Sequence, residues 1–477
     1  EIYTLSLHDA LPIFDYMTTK YICSNFHKTE EDKPYFEPYK IIEAGDKKIA
    51  FIGVLTPLTF TKTYVSTLRD AEGKPLYNFY ADHDGLANIV QKYVDEVKDK
   101  GANYVILLTH IGMNVEEYTS NDIVSRIQNV DAVLDGHTHL SYSTTSKDKN
   151  GKEVYFTQTG TKLVNIGKLI IKPDGTIENS NIAVVPQPSD TTGAKKVTRG
   201  KVETWVNTEI STFISQLWGQ YADELNKKIG KIDYDLIIRP EDKTDSHYIY
   251  CRTRECSLGS LIADSFRGAV LSDVALLNGG SVRTNLLKGE ITRKDIIDVL
   301  PFFNSVFTKE IDGLALLDAL EFGVSKLPSA SGGFPQVSGI TFDVDISIPT
   351  TVVTDKDGLF QKVSGKRRVS NVKINGEDLI LDKKYNLSCS EFVSEGGDGY
   401  SMFHQFNVVN ESIFTDSDAF QHYIQYNLDG NVPDYYKNEN TRIRIIDSSS
   451  SDSTKNIGQH LKINRKLPLL LLLFAFL

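Results

Sequence analysis

Val130-Asp131-Ala132-Val133-Leu134-Asp135-Gly136-His137-Thr138-His139 decides how the chain is read. A short apolar run of strand type breaks at a glycine, and two histidines follow two positions apart. The run buries itself, and the glycine lets the backbone turn where the strand ends. Both imidazoles are therefore expected on the C-terminal rim of a sheet, where open α/β sheets hold their ligands. Upstream, Tyr104-Val105-Ile106-Leu107-Leu108-Thr109 is a second buried strand, and it ends in His110-Ile111-Gly112. Neutral imidazoles are good ligands for zinc, iron and manganese. His110, His137 and His139, on two adjacent strand ends, are expected to converge on a metal. Asp135 either points at the same place or orients one of the histidines from behind. A two-metal phosphoesterase needs more donors than three histidines, including a carboxylate bridging ions roughly 3.5–4 Å apart. His27, His83, His247, His404, His422 and His460 lack such company and read as surface or packing residues.

Strands and helices alternate around these two strands. Tyr21 to Asn25 reads as a short strand, and Lys48 to Leu55 as a buried one. Asp84 is expected to cap a helix whose stripe is Ile89, Val90, Tyr93, Val94 and Val97, with Gly101 stopping it. A helix is expected around Asp122 to Gln128. The alternation predicts a mostly parallel α/β layer. Val154 to Gln158 and Leu163 to Ile171 read as antiparallel strands, with Pro173-Asp174-Gly175 as a turn. Pro186 to Gly193 reads as a boundary. Val202, Trp205, Ile210, Phe213, Leu217, Tyr221 and Leu225 recur at helical spacing and predict one long interdomain helix.

The second half begins near Lys228. Helices are expected over Leu258 to Phe266 and Lys294 to Val299. Strands are expected over Asp273 to Leu277, Gly339 to Val344 and Tyr385 to Ser390. The loops of this half carry the chemistry. Arg252 and Arg283 present planar forks suited to a phosphate or a ribose hydroxyl. Asn278, in a glycine-rich turn after a strand, can approach a polar ligand closely. Phe302 follows a proline, and Phe392 precedes Glu395-Gly396-Gly397-Asp398-Gly399. Two loop aromatics beside Arg, Asn and Asp suggest a sandwich for a flat base, since base stacking is worth about 1–3 kcal/mol per base. Asp398 can accept from ribose hydroxyls.

A length of 477 residues suits two domains. The net charge of −11, with no basic cluster, argues against a nucleic-acid polymer as partner. A small anionic substrate remains compatible with a local cationic pocket. Cys251 and Cys256 have a spacing that a small-loop disulfide closes if the backbone turns; two free thiols are the alternative, and no second cysteine pair supports zinc. Cys23 and Cys389 read as buried free thiols.

Residues 1–13 lack the charged and apolar regions of a signal peptide and read as an artefactual leader. The end of the chain has a different composition. Ser448 to Ser453 is a run of small residues, a basic spacer reaches Lys466, and Leu467 to Leu477 is almost wholly apolar. As a helix that apolar tail spans about 16 Å, too short for a bilayer core of roughly 30 Å. The pattern predicts a glycosylphosphatidylinositol (GPI) attachment signal over 448–477, with Ser451 as the modified residue and Ser449, Ser453 and Asn456 as alternatives. The protein is then expected at the extracellular surface, anchored to the membrane. Export of that kind favours the disulfide reading of Cys251 and Cys256.

Thr109-His110-Ile111-Gly112, Gly136-His137-Thr138-His139, Asn278-Gly279-Gly280-Ser281-Val282-Arg283, Leu300-Pro301-Phe302 and Gly396-Gly397-Asp398-Gly399 together resemble the 5′-nucleotidase family. Cys251-Arg252-Thr253-Arg254-Glu255-Cys256 is especially similar to its GPI-anchored animal members. The resemblance runs from about Tyr21 to Ile446. It implies an α/β (α+β) fold, with a calcineurin-like metallophosphatase sandwich over 14–190, an interdomain helix over 191–227 and an α/β nucleotide-binding domain over 228–447. It implies two divalent ions, zinc or else manganese, cobalt or iron. His110 and His137 would ligate the second metal, and His139 would lie near the first. Arg252, Asn278, Arg283, Phe302, Phe392 and Asp398 would form the pocket, with the base between the two phenylalanines. The implied reaction is hydrolysis of nucleoside 5′-monophosphates to nucleoside and phosphate. A 2′,3′-cyclic-nucleotide phosphodiesterase/3′-nucleotidase, a nucleotide-sugar hydrolase and a catalytically dead nucleotide-binding surface protein are the alternatives. A homodimer is compatible with the sequence. The family's early motifs (Asp-x-His, a Gly-Asp with the bridging Asp, and Gly-Asn-His-Glu) do not occur. The sandwich is therefore expected to be truncated at its N-terminus, with the catalytic histidine and most metal ligands in the missing segment, a bare sheet edge and weak activity.

Overall fold

The computed structural model describes residues 21–31, 33–63, 65–70, 74–113, 117–161, 165–183, 194–199, 202–239, 249–437 and 442–449. The expected leader over 1–13, the boundary at Pro186 to Gly193 and Ser451 lie outside them. The chain divides into two compact units, with the main division between Lys227 and Lys228 and Lys356–Gly358 grouped with the first.

The first unit is built on one six-stranded sheet. Its strands are β1 (Tyr39–Ala44), β2 (Lys47–Leu55), β3 (Tyr104–His110), β4 (Ala132–Asp135), β5 (Ser141–Lys147) and β6 (Glu153–Thr159), in the order β1-β2-β3-β4-β6-β5. The four central strands are parallel, and β1 and β5 close the two edges in antiparallel pairing. Val105, Leu107 and Val133 have no exposed surface, as expected of near-continuous apolar strands covered on both faces. Helix α1 (His83–Asp99) lays Leu86, Ile89, Val90, Tyr93, Val94 and Val97 against this sheet. Helix α2 is Ser120–Arg126, and β7 (Asn165–Ile171) pairs with β8 (Ile177–Ala183) as a separate antiparallel ribbon.

Several expectations are corrected here. Asp82, not Asp84, caps α1, accepting from the Gly85 amide at 2.5 Å; Asp84 sits in the first turn and pairs with Arg126 at 2.7 Å. Tyr21 to Asn25 is not a strand beyond one bridge at Ile22. Its polar side chains dock on β2 instead: Ser24 donates to the Gly53 carbonyl, and Asn25 both donates to the Leu55 carbonyl and accepts from its amide. β6 is antiparallel to β5 but parallel to β4, so it belongs to the main layer. The helix expected from Val202 begins only at Thr208. Ala194–Arg199 and Val202–Asn207 form a hairpin (β9 and β10), and α3 is Thr208–Leu225. Trp205 therefore lies on a strand, and Phe213 and Tyr221 on α3 are exposed.

The second unit has two larger sheets, beside two-stranded pairs of Lys228–Ile232 with Gly289–Thr292 and of Val352–Thr354 with Phe360–Val363. Its elements include α4 (Ser257–Val270), β11 (Val274–Asn278), α5 (Arg293–Val299), β12 (Ser305–Asp312), α6 (Gly313–Gly323), β13 (Pro335–Ser338), β14 (Ile340–Asp345), β15 (Val369–Ile374), β16 (Glu377–Asp378), β17 (Lys384–Ser390), α7 (Glu391–Ser394), β18 (Val408–Thr415), α8 (Asp416–His422) and β19 (Ile443–Ile446). The larger sheet runs β13-β11-β17-β12-β18, and the smaller β16-β15-β14-β19. β11 is buried throughout and alternates between two cores. Val274 and Leu276 join Leu316 and Leu320 of α6, whereas Ala275 and Leu277 join Leu261, Ile262 and Phe266 of α4. The period of two thus places a helix layer on each face of the sheet. The strand delivers Asn278 at its C-terminal end.

Candidate functional site

In the first unit, β3 and β4 end side by side, and their loops interlock. Asp135 is the hub. Its Oδ1 accepts from Thr109 Oγ1 at 2.6 Å and from the amides of Gly112 and Gly136 at 3.0 and 2.8 Å. Its Oδ2 accepts from Ser120 Oγ at 2.5 Å and from the Tyr142 hydroxyl at 3.1 Å. Burial and this carboxylate push the Tyr142 phenol well above its ordinary pKa, so it stays a proton donor. Asp135 is thereby the tie between two loops and does not point freely at a ligand.

The glycines fit this interlock. A Cβ on Gly136 would lie 3.1 Å from His110 Nδ1, and one on Gly112, at φ +88°, would lie 2.4 Å from Thr138 Cγ2. His137 and His139 take φ of 79° and 59°. Left-handed backbone at non-glycine residues costs on the order of 1–3 kcal/mol and persists where surroundings over-determine it. Here the Gln158 amide contributes: turned so that both its ends find partners, its oxygen accepts from the amides of His139 and Leu140 at 2.9 and 3.1 Å.

The arrangement brings His110 and His137 together, with ring centroids 5.2 Å apart and planes inclined at 64°. One edge of His110 reaches solvent. The protein packed around it still lowers its pKa, with Asp135 opposing. The expected convergence of three is not seen: among the described residues no group of three or more His, Cys, Asp or Glu could hold a metal, and His139 does not complete one.

In the second unit, four loops meet at the end of β11. Asn278 Nδ2 donates to Asp398 Oδ2 at 2.8 Å, and Ser281 Oγ donates to Asn278 Oδ1 at 2.5 Å. The Gly279 and Gly280 amides donate to the carbonyls of Phe334 and Gly332 at 2.7 and 2.8 Å. A Cβ on Gly279 would stand 1.9 Å from the Cys251 carbonyl oxygen, so only glycine lets this turn reach the Cys251–Cys256 loop. That loop is closed by a disulfide with Cα atoms 5.1 Å apart. Arg252 follows its first cysteine, and the Arg252 carbonyl accepts from the Ser331 amide at 2.9 Å. Arg283 places its guanidinium 5.6 Å from the centre of the Phe302 ring. Phe392, on α7, packs where a Cβ on Gly397 would fall 2.6 Å from its ring. Asp398 sits at φ 53° between Gly396 and Gly399 at 92° and 97°.

Other residues that build these loops carry no sequence signal. Gln336 is fully buried; it accepts from the Cys256 amide and donates to the carbonyls of Cys251 and Arg254 at 2.9, 3.1 and 2.8 Å. Glu255 is also buried and accepts from the amides of Arg442 and Ile443 at 2.9 and 3.0 Å, tying the disulfide loop to β19. Tyr142 and Gln158 play the same part around the histidines. Each is one polar residue in an ordinary strand or loop, and only its partners reveal it.

Residues 228–405 match the family model described as 5′-nucleotidase, C-terminal domain. The chain is 26% identical over 408 residues to the trifunctional nucleotide phosphoesterase protein YfkN of Bacillus subtilis, covering 83% of this chain and 24% of that protein. It is 26% identical over 438 residues to the 5′-nucleotidase of Vibrio cholerae, covering 85% of this chain and 71% of that one. The crystal structure of a 5′-nucleotidase precursor from Thermus thermophilus superposes with a TM-score of 0.67 at 23% identity, over 91% of this chain and 80% of that one. The fold is accordingly that of a two-domain 5′-nucleotidase, with a metallophosphatase-type first domain and the nucleotidase C-terminal domain. The chain spans about a quarter of the first relative's length.

Proposed function

We propose that this chain, whose residues 228–405 match the 5′-nucleotidase C-terminal domain model, takes nucleoside 5′-monophosphates as substrates for release of phosphate. The observation that carries the reading is the Asn278–Asp398 bond at 2.8 Å, at a turn that packs against the Cys251 carbonyl next to Arg252. Asp398 offers its carboxylate to ribose hydroxyls, with Asn278 fixing its direction. Arg252 and Arg283 match phosphate charge with planar donor forks. Phe302 and Phe392 supply faces for a flat base. His110 and His137 would hold a divalent ion of the zinc, manganese, cobalt or iron class. Such an ion, when bound, polarises a phosphoryl oxygen and acidifies bound water. Asp135 keeps the two imidazoles in place without itself ligating. Two ions are the arrangement that the family resemblance implies. In domain terms we assign 14–190 to the phosphatase part, 191–227 to a connection and 228–447 to substrate binding, and we read 448–477 as the GPI signal with Ser451 as its site.

Calorimetric titration of adenosine 5′-monophosphate into the intact chain tests the reading. Binding that is weakened at least tenfold by Phe392→Ala and by Asp398→Ala is expected; unchanged affinity in both would refute the pocket. Phosphate release from 5′-, 3′- and 2′,3′-cyclic mononucleotides and from nucleotide sugars, with zinc or manganese present, then separates the substrate classes. Release of the protein from expressing cells by a phosphatidylinositol-specific phospholipase checks the anchor.

A further inference from the structure

We propose that Lys309 is a positioning residue for the nucleoside end of the pocket, acting as a clip on the loop that carries Phe392 and Asp398. The inference rests on the nucleotide reading above. Lys309 lies in β12, and its side chain is 4% exposed. A buried ammonium is costly unless its donors are satisfied. Its Nζ donates to the Ser394 carbonyl at 3.0 Å and to the Phe403 carbonyl at 3.1 Å, and stands 3.6 Å from Glu395 Oε1. Ser394 closes α7, two residues beyond Phe392. Phe403 follows the tight turn that presents Asp398. One cation therefore holds both ends of the segment in which Gly396, Asp398 and Gly399 are all left-handed. Within that segment the backbone makes short turn bonds, Gly399 to Gly396, Tyr400 to Gly397 and Phe403 to Tyr400. An apolar side chain would fill the same volume at lower desolvation cost. What the lysine adds is direction: its three donors reach two separated parts of one loop.

Adenosine and inorganic phosphate are the probes, titrated into the intact chain. Adenosine needs Phe302, Phe392 and Asp398; phosphate needs the arginines. Lys309→Met is expected to weaken adenosine at least tenfold and leave phosphate within twofold. Lys309→Arg, which keeps the charge and the donors, is expected to restore adenosine to within threefold. Equal weakening of both probes, or unchanged adenosine binding by folded Lys309→Met, overturns the inference. Should Lys309→Met fail to fold, Lys309→Gln carries the same comparison; failure of both to fold assigns Lys309 to stability alone and also overturns it. Absence of adenosine binding by the unaltered chain instead defeats the nucleotide reading itself.

Discussion

The side chains of Asn278 and Asp398 meet at 2.8 Å, although 120 residues separate them in the chain. One ends a buried strand, and the other sits in a left-handed turn. A hydrogen bond to a charged group is worth about 1.5–3 kcal/mol, so the two should act on a ligand as a unit. In a double-mutant cycle on adenosine 5′-monophosphate affinity, Asn278→Ala and Asp398→Ala are expected to be strongly non-additive, with a coupling of at least ~1 kcal/mol. Additive losses would show that Asn278 does not orient Asp398.

Gly279→Ala should disable the same pocket without touching a ligand. Its new Cβ would fall 1.9 Å from the Cys251 carbonyl, and backbone has no rotamer by which to yield. The Arg252 turn must shift. We expect at least tenfold weaker nucleotide binding and a stability loss of about 1–3 kcal/mol, the usual cost of overpacking. Titration and urea unfolding of the same preparation report both.

For the histidine rim, His110→Ala and His137→Ala should each lower zinc affinity at least tenfold, whereas His139→Ala should lower it less than threefold. Competition with a chromophoric chelator measures all three. An equal loss at His139 would place it in the ligand set with the facing pair.

Removal of the Asp135 hub should cost stability rather than a single contact. Asp135→Ala leaves the Gly112 and Gly136 amides and the Thr109, Ser120 and Tyr142 hydroxyls without their common acceptor. A loss on the order of 3 kcal/mol follows from one charged acceptor and several stranded donors. Urea unfolding followed in the first unit checks it; a change below ~1 kcal/mol would contradict the hub.

The pH dependence has one clear contributor. Burial pushes Asp416 up to about 7, although Asn304 and the Ser417 amide donate to it. The folded state therefore holds this proton through a range where the unfolded chain has released it. Stability should fall as pH rises from about 4 to about 7 and then level off, by a few kcal/mol for a shift of this size. Asp416→Asn should flatten that slope in urea midpoints taken across the range; an unchanged slope would assign it to other groups.

Much of this was legible in the sequence, and the limits are physical. β3, β4 and β11 announce themselves because uninterrupted apolar runs have few alternatives to a covered strand. α4 and α5 show helical periodicity. Val202 to Leu225 misled because Trp205 fits a helical stripe as readily as a strand face, and the period alone does not see the hairpin with Ala194–Arg199. Asp82 lost to Asp84 in the reading because both precede the same stripe, and only backbone geometry picks the cap. At the site, Asn278 and Arg283 stood out because they lie in a glycine-rich loop after an identifiable strand, Asp398 because it lies in the Gly-Gly-Asp-Gly loop, and Arg252 because it sits between Cys251 and Cys256. Gln336, Glu255, Tyr142 and Lys309 did not, because a buried polar residue is explained only by partners far away in sequence.

β11 has a consequence for fidelity of assembly. Four of its side chains are shared alternately by two cores, and its last residue is Asn278. A one-residue slip against β13 or β17 would exchange the residues entering each core. The same slip would carry Asn278 away from Asp398. On the proposed nucleotide reading, ligand occupancy reads out whether the central strand was threaded correctly, and a ligand that needs both side chains favours the correctly threaded molecules over mis-registered ones by mass action.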